Sequence, residues 1–94
     1  KLSAEEAYDW GIINRVVDRA ELMQSCKEFA SEILKNGPVA LRQAKYAISY
    51  GMNADLQTGL AIEAKAYELT IPTEDRLEAL RAFNEKRTPV FKGR

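Results

Sequence analysis

The chain has 94 residues, 14 acidic and 14 basic side chains, one cysteine and no histidine. Zero net charge excludes the broad positive field that non-specific nucleic-acid or anionic-membrane binding uses, and no apolar run is long enough to cross a bilayer. Without imidazole, Ser-His-Asp and Cys-His nucleophiles and His-bearing zinc sites are excluded as well, so acid–base chemistry would fall to carboxylates, Lys or Tyr. A single thiol, Cys26, cannot form an internal disulfide and suits a reducing compartment.

The first residues, "KLSAEEAYDWG", already carry a helical pattern, and the chain reads as a piece of a longer one. Ser3 with Glu6 makes a capping box, and Gly11 sits where a helix end wants a left-handed residue. "IINRVVD" is β-branched and apolar and predicts one strand, whose partners would lie outside the chain. Asp18 is expected to open a long helix, with Glu21 closing a box-like cap. Its apolar stripe is Leu22, Cys26, Phe29, Ala30, Ile33 and Leu34, the spacing of one buried face. Asn36-Gly37-Pro38 stops it, and Pro38 can begin the next helix. That helix carries Leu41, Ala44 and Ile48 and is expected to be capped by Gly51. A third long helix, from Asn53 or Asp55 to Thr70, is apolar on two sides. Leu56, Leu60 and Tyr67 line one, while Gly59, Ile62, Ala66 and Leu69 line the other. Such a helix is expected to be buried twice, between its own domain and a second subunit. Thr73 caps the last helix, Glu74 and Asp75 occupy its first turn, Lys86 and Arg87 its last, and Pro89 closes it. The pattern changes from strand-like to helical near Val17, dividing the chain into 1–17 and 18–94.

Few residues invite a chemical reading. Glu5-Glu6 and Glu74-Asp75 are adjacent acids, and neighbours on a helix do not converge on one point. They are read as helix N-terminal acids. Cys26 lies within an apolar stripe and is read as a small core hydrophobe. Arg42 and Lys45 share a helix face, read as solvated rather than phosphate-binding. Phe83 and Lys86 share another, and an aromatic ring beside an ammonium suits an adenine and a phosphate. Spacing alone favours Phe83 as core and Lys86 as a partner of the helix dipole. The tail "RTPVFKGR" holds the ingredients of a single-strand RNA site, but it is short and the chain is neutral, which argues against RNA.

Two stretches carry a resemblance. "KLSAEEAYDWGIINRVV" is similar to the segment that follows the spiral core in the enoyl-CoA hydratase/isomerase (crotonase) superfamily. "GPVALRQAK" and "GLAIEAKAYELTIPTEDRLEALRAFNEKRTPVFKG" resemble its C-terminal helices, nearest the methylglutaconyl-CoA hydratase branch with its AU-rich RNA-binding relatives. The resemblance implies a mainly α fold, the C-terminal helical (trimerisation) region, with one short strand left from the β/α spiral core. It implies an acyl-CoA substrate, no further cofactor, no metal, and a homo-oligomer, either a trimer or a dimer of trimers. The hydratase glutamates and oxyanion loops lie upstream in the family, so no glutamate here inherits a catalytic role. Lys86, with Phe83, matches the aromatic and lysine that approach CoA held by a neighbouring subunit, and Tyr67 falls where a residue lines the acyl end. The implied compartment is the bacterial cytoplasm or the mitochondrial matrix. A helical interaction module without activity, or another crotonase-type reaction such as isomerisation, is the alternative.

Overall fold

The computed structural model describes residues 1–94, which form five α-helices and no strand. They fall into two compact units, residues 1–33 and 34–94.

In the first unit, α1 (Ala4–Asp9) begins as its sequence demands. The Ser3 hydroxyl accepts from the Glu6 amide at 3.1 Å, and the Glu6 carboxylate accepts from the Ser3 amide at 2.8 Å. Gly11 takes φ +69° just past the helix. There the Ile12 and Gly11 amides donate back to the Ala7 and Tyr8 carbonyls, satisfying two end groups. The expected strand over "IINRVVD" does not form: residues 12–14 bend and 15–18 are irregular. A strand exists by pairing, and no second strand is present to supply the ladder. The next helix also starts later than expected. The Glu21 amide bonds to the Asp18 carbonyl in a tight turn, and α2 runs Leu22–Ile33. Its apolar stripe is not a buried face within the chain: Leu22, Phe29 and Ile33 are exposed, and so is Cys26, contrary to its reading as core. The Arg15 guanidinium lies 4.9 Å from the Phe29 ring centre, a cation–π contact that ties the irregular segment to α2.

The second unit is built on a hairpin of α3 (Pro38–Gly51) and α4 (Leu56–Glu68). Pro38 occupies the first turn of α3, where its missing N–H costs nothing. Gly51 is not the left-handed cap the sequence suggested; it is the last helical residue, and Met52 is the C-cap in right-handed geometry. Its use is close packing. A Cβ on Gly51 would sit 3.6 Å from the Gly59 Cα, and one on Gly59 would sit 3.2 Å from the Gly51 carbonyl oxygen. Two glycines therefore let the backbones of α3 and α4 meet. Asp55 caps α4, accepting from the Thr58 amide at 3.1 Å and its hydroxyl at 2.6 Å. The hydroxyl bond first, then the amide bond, lowers the Asp55 pKa.

The two apolar sides of α4 part company. Gly59 and Ile62 are half-buried and Ala66 is buried. Leu56 and Leu60 stay 74% and 50% exposed, and Leu69 joins the exposed set. Leu56 and Leu60, with Ile48 of α3 and its cap Met52, line one open apolar surface. Only Ala66, Ala82 and Asp75 are buried.

Candidate functional site

The last helix, α5 (Glu74–Asn84), and the residues after it carry the polar chemistry of the second unit. The Thr73 hydroxyl accepts from the Arg76 amide at 3.2 Å, the cap its sequence promised. The far end departs from expectation. Helical structure stops at Asn84, Glu85 is the C-cap, and Lys86 takes φ +54°. The Arg87 amide bonds to the Ala82 carbonyl and the Lys86 amide to the Phe83 carbonyl, the double closure of a Schellman turn. Glycine usually fills the left-handed position, because an L side chain there crowds its own backbone. Lys86 fills it here and is the only non-glycine residue of the chain with positive φ.

This ending corrects the argument that paired Phe83 with Lys86 along a continuous helix. It also moves Lys86 and Arg87 out of the last helical turn, where Arg81 stands instead. Phe83 is not core; it is 82% exposed. Tyr67 is 59% exposed and borders an apolar groove between α3 and α4 lined also by Ala44, Ala47, Ile48 and Ala66. No ring contact or cation–π contact joins Tyr67, Phe83 and Lys86 to one another within the chain. The Lys86 ammonium has neither an acid nor a hydrogen-bond partner.

The neighbouring cation is fully engaged. Arg87 grips both oxygens of Glu78, at 2.6 and 3.1 Å, and its Nε donates to Glu85 at 2.6 Å. Glu78 also accepts from the Val90 amide at 2.9 Å. The Arg87 bond is the main cause, with the Val90 amide second, of a Glu78 pKa depressed from 4.5 to about 2. The same contacts, Glu78 before Glu85, push the Arg87 guanidinium above its ordinary value.

One turn earlier, the buried Asp75 holds the end of the chain. Its two oxygens accept from the Lys92 and Gly93 amides at 2.6 and 2.8 Å, and its own amide donates to the Arg94 carbonyl at 3.0 Å. Glu74 adds an exposed ion pair to Arg94 at 3.1 Å. Phe91 lies against Gly37, 3.7 Å from where a Cβ would stand. Residues 87–94 are thus a clasp on their own helix rather than a free basic end. Glu74-Asp75 act as first-turn acids and as tail anchors together, each on different atoms. Sequence reasoning missed Glu78. The signal was present: acids at 75 and 78 share one face, opposite a tail bearing Arg87, Lys92 and Arg94.

Because the folded Glu78 pKa lies below the unfolded value, its contribution to stability is whole above about pH 4.5 and fades as pH falls towards about 2. An NMR pH titration is expected to move the Val90 amide with a midpoint near 2. A midpoint near 4.5 would show that the carboxylate is not held.

Comparison with known proteins places these features in a family. The family model for enoyl-CoA hydratase/isomerase matches residues 1–94. YngF of Bacillus subtilis is 53% identical over 93 residues, covering 99% of this chain and 36% of that protein. Human mitochondrial methylglutaconyl-CoA hydratase is 48% identical over 96 residues, covering 98% of this chain and 28% of that protein. A crystal structure of an enoyl-CoA hydratase from Bacillus anthracis superposes with a TM-score of 0.93 at 50% identity, covering 97% of this chain and 35% of the other. The chain therefore spans about a third of the length of the relatives it matches. Its helical fold matches the C-terminal helical region of the crotonase fold. No helix is long and apolar enough to cross a membrane. With the family model matched from end to end and near-complete coverage at about half identity, the chain belongs to the enoyl-CoA hydratase/isomerase family.

Proposed function

We propose that the chain completes the CoA-binding wall and the subunit interface of an enoyl-CoA hydratase that adds water to 2-enoyl-CoA thioesters. Lys86 contacts a CoA phosphate, with Phe83 and Tyr67 beside the ligand. The observation that carries the reading is the Lys86 ammonium, exposed and unpartnered on a fixed turn beside an arginine already committed to carboxylates. A free cation on an ordered turn suits a phosphate, since little side-chain or backbone order must be created on binding. Phe83, exposed beside it, offers a flat apolar face for a base. The chain needs no metal or further cofactor for this role. The open apolar surface on α3 and α4 supports a homo-oligomer, a trimer or a dimer of trimers, as its cover. The division at residue 17, between the end of a spiral core and a helical domain, belongs to the same reading. So does a location in the bacterial cytoplasm or the mitochondrial matrix.

The test is a titration of the 94-residue chain with coenzyme A and with crotonyl-CoA. Binding without hydration is expected, and Lys86→Ala should weaken binding by about tenfold, the worth of one charge-assisted hydrogen bond. Turnover above blank, or unchanged affinity in the variant, would contradict the proposal. The exposed apolar surface equally suits a helical interaction module without activity, which sedimentation as a monomer with no CoA-induced NMR shift would support.

A further inference from the structure

We propose that Glu78 is a positioning residue for Lys86: through Arg87 and Val90 it holds the left-handed turn that sets the direction of the Lys86 ammonium. The inference rests on the proposed CoA contact and says how this chain prepares it. Lys86 stands in a backbone conformation that an L side chain disfavours, so something beyond its own preference must hold it there. The two helix-end hydrogen bonds close the turn, but helix ends held by their own terminal bonds readily fray. The further restraint comes from the side chains on either side of Lys86. Arg87 Nε is tied to Glu85, bracing the residues before and after Lys86 to each other across the turn. The Arg87 fork is tied in turn to both oxygens of Glu78, which lies inside α5. The fork is planar and bidentate, so it fixes orientation as well as distance. Glu78 then grips the Val90 amide on the far side of the turn, so one carboxylate holds the chain on both sides of Thr88 and Pro89.

A consequence of this wiring is a division of labour between adjacent cations. Arg87 spends its donors on Glu78, Glu85 and the Thr88 carbonyl. Glu78 and Glu85 are thereby occupied, and the Lys86 ammonium is left without an internal partner. Loss of Glu78 would loosen the turn that aims the Lys86 ammonium. Glu78 thus acts on the ligand only through its neighbours, without touching it.

The experiment compares the wild-type chain with Glu78→Gln, Lys86→Ala, Arg87→Lys and the double variant Glu78→Gln with Lys86→Ala. The probe is free coenzyme A, followed by NMR, with the amide pattern of α3 and α4 as the check that each variant is folded. Glu78→Gln is expected to weaken the strong intraresidue HN–Hα NOE that marks the positive φ of Lys86 and to weaken CoA binding about three- to tenfold. Arg87→Lys, which keeps the charge and loses the fork, should do the same to a lesser degree, and it carries the test if Glu78→Gln does not fold. The double variant should bind no more weakly than Lys86→Ala alone, because Glu78 works through Lys86. If wild type binds, Lys86→Ala weakens it and Glu78→Gln does not, the positioning role is overturned and the CoA reading stands. Additive losses also overturn positioning, since Glu78 would then contribute on its own. If wild type does not bind coenzyme A, or Lys86→Ala binds as tightly as wild type, both proposals fall together.

Discussion

Asp75→Ala is expected to release the last residues of the chain and to cost about 3 kcal/mol, the sum of two hydrogen bonds to a charged acceptor. Asp75 is 4% exposed, so its bonds to the Lys92 and Gly93 amides are shielded from competing water. Its removal leaves two amides to find solvent and frees the segment that carries Phe91 against Gly37. The Glu74–Arg94 pair cannot substitute, because it is exposed on both sides. Thermal unfolding and amide exchange at Lys92 and Gly93 give the measurement: a midpoint lower by about 10 °C or more is expected for a unit this small. Exchange at both amides should become fast. Asp75→Asn is a sharper probe, because its amide group would turn a donor towards one of two donating backbone N–H groups. A variant as stable as wild type, with protected tail amides, would show that Asp75 is not the anchor.

Gly59→Val is expected to cost about 3 kcal/mol by forcing α3 and α4 apart. Its Cβ alone would stand 3.2 Å from the Gly51 carbonyl oxygen, a rigid backbone atom, and a branched side chain adds two methyl groups at the same place. The hairpin has few other reserves, since Ala66 is the single buried residue of these two helices. Gly51→Ala is the matched control. Its Cβ meets the neighbouring backbone at 3.6 Å, an ordinary contact, at the last residue of α3. The denaturation midpoint should therefore fall far more for Gly59→Val than for Gly51→Ala. Equal destabilisation by both would mean that the close approach is not what the glycines serve.

The sequence by itself determined the features whose physics is local. Ser3 with Glu6, Asp55 and Thr73 each place an acceptor within three residues of a free helix amide, and each cap is present in the fold. Gly11 ends α1 with positive φ for the same local reason. The two-sided pattern of α4 was legible as periodicity, and one of its sides is buried against α3 while the other stays open. The candidate residues Tyr67, Phe83 and Lys86 were legible only through resemblance, because their exposure and spacing differ little from those of ordinary surface residues.

Only the tertiary structure decided what depends on groups distant in sequence. "IINRVVD" has the composition of a strand, but pairing is not local, and without a partner it stays irregular. Gly51 read as a cap because glycine after a helix often is one; its contact with Gly59 needed the hairpin to be folded. Cys26 read as core from its stripe, yet a stripe shows which side would be buried, not what covers it. The end of α5 at Asn84 follows from a carboxylate nine residues before Arg87 and from a tail that returns to Asp75, 17 residues before Lys92. Caps and periodicity are settled within a few residues of chain. A clasp is settled by loop closure, in which carboxylates already fixed on a helix offset the entropy of bringing the tail back to them.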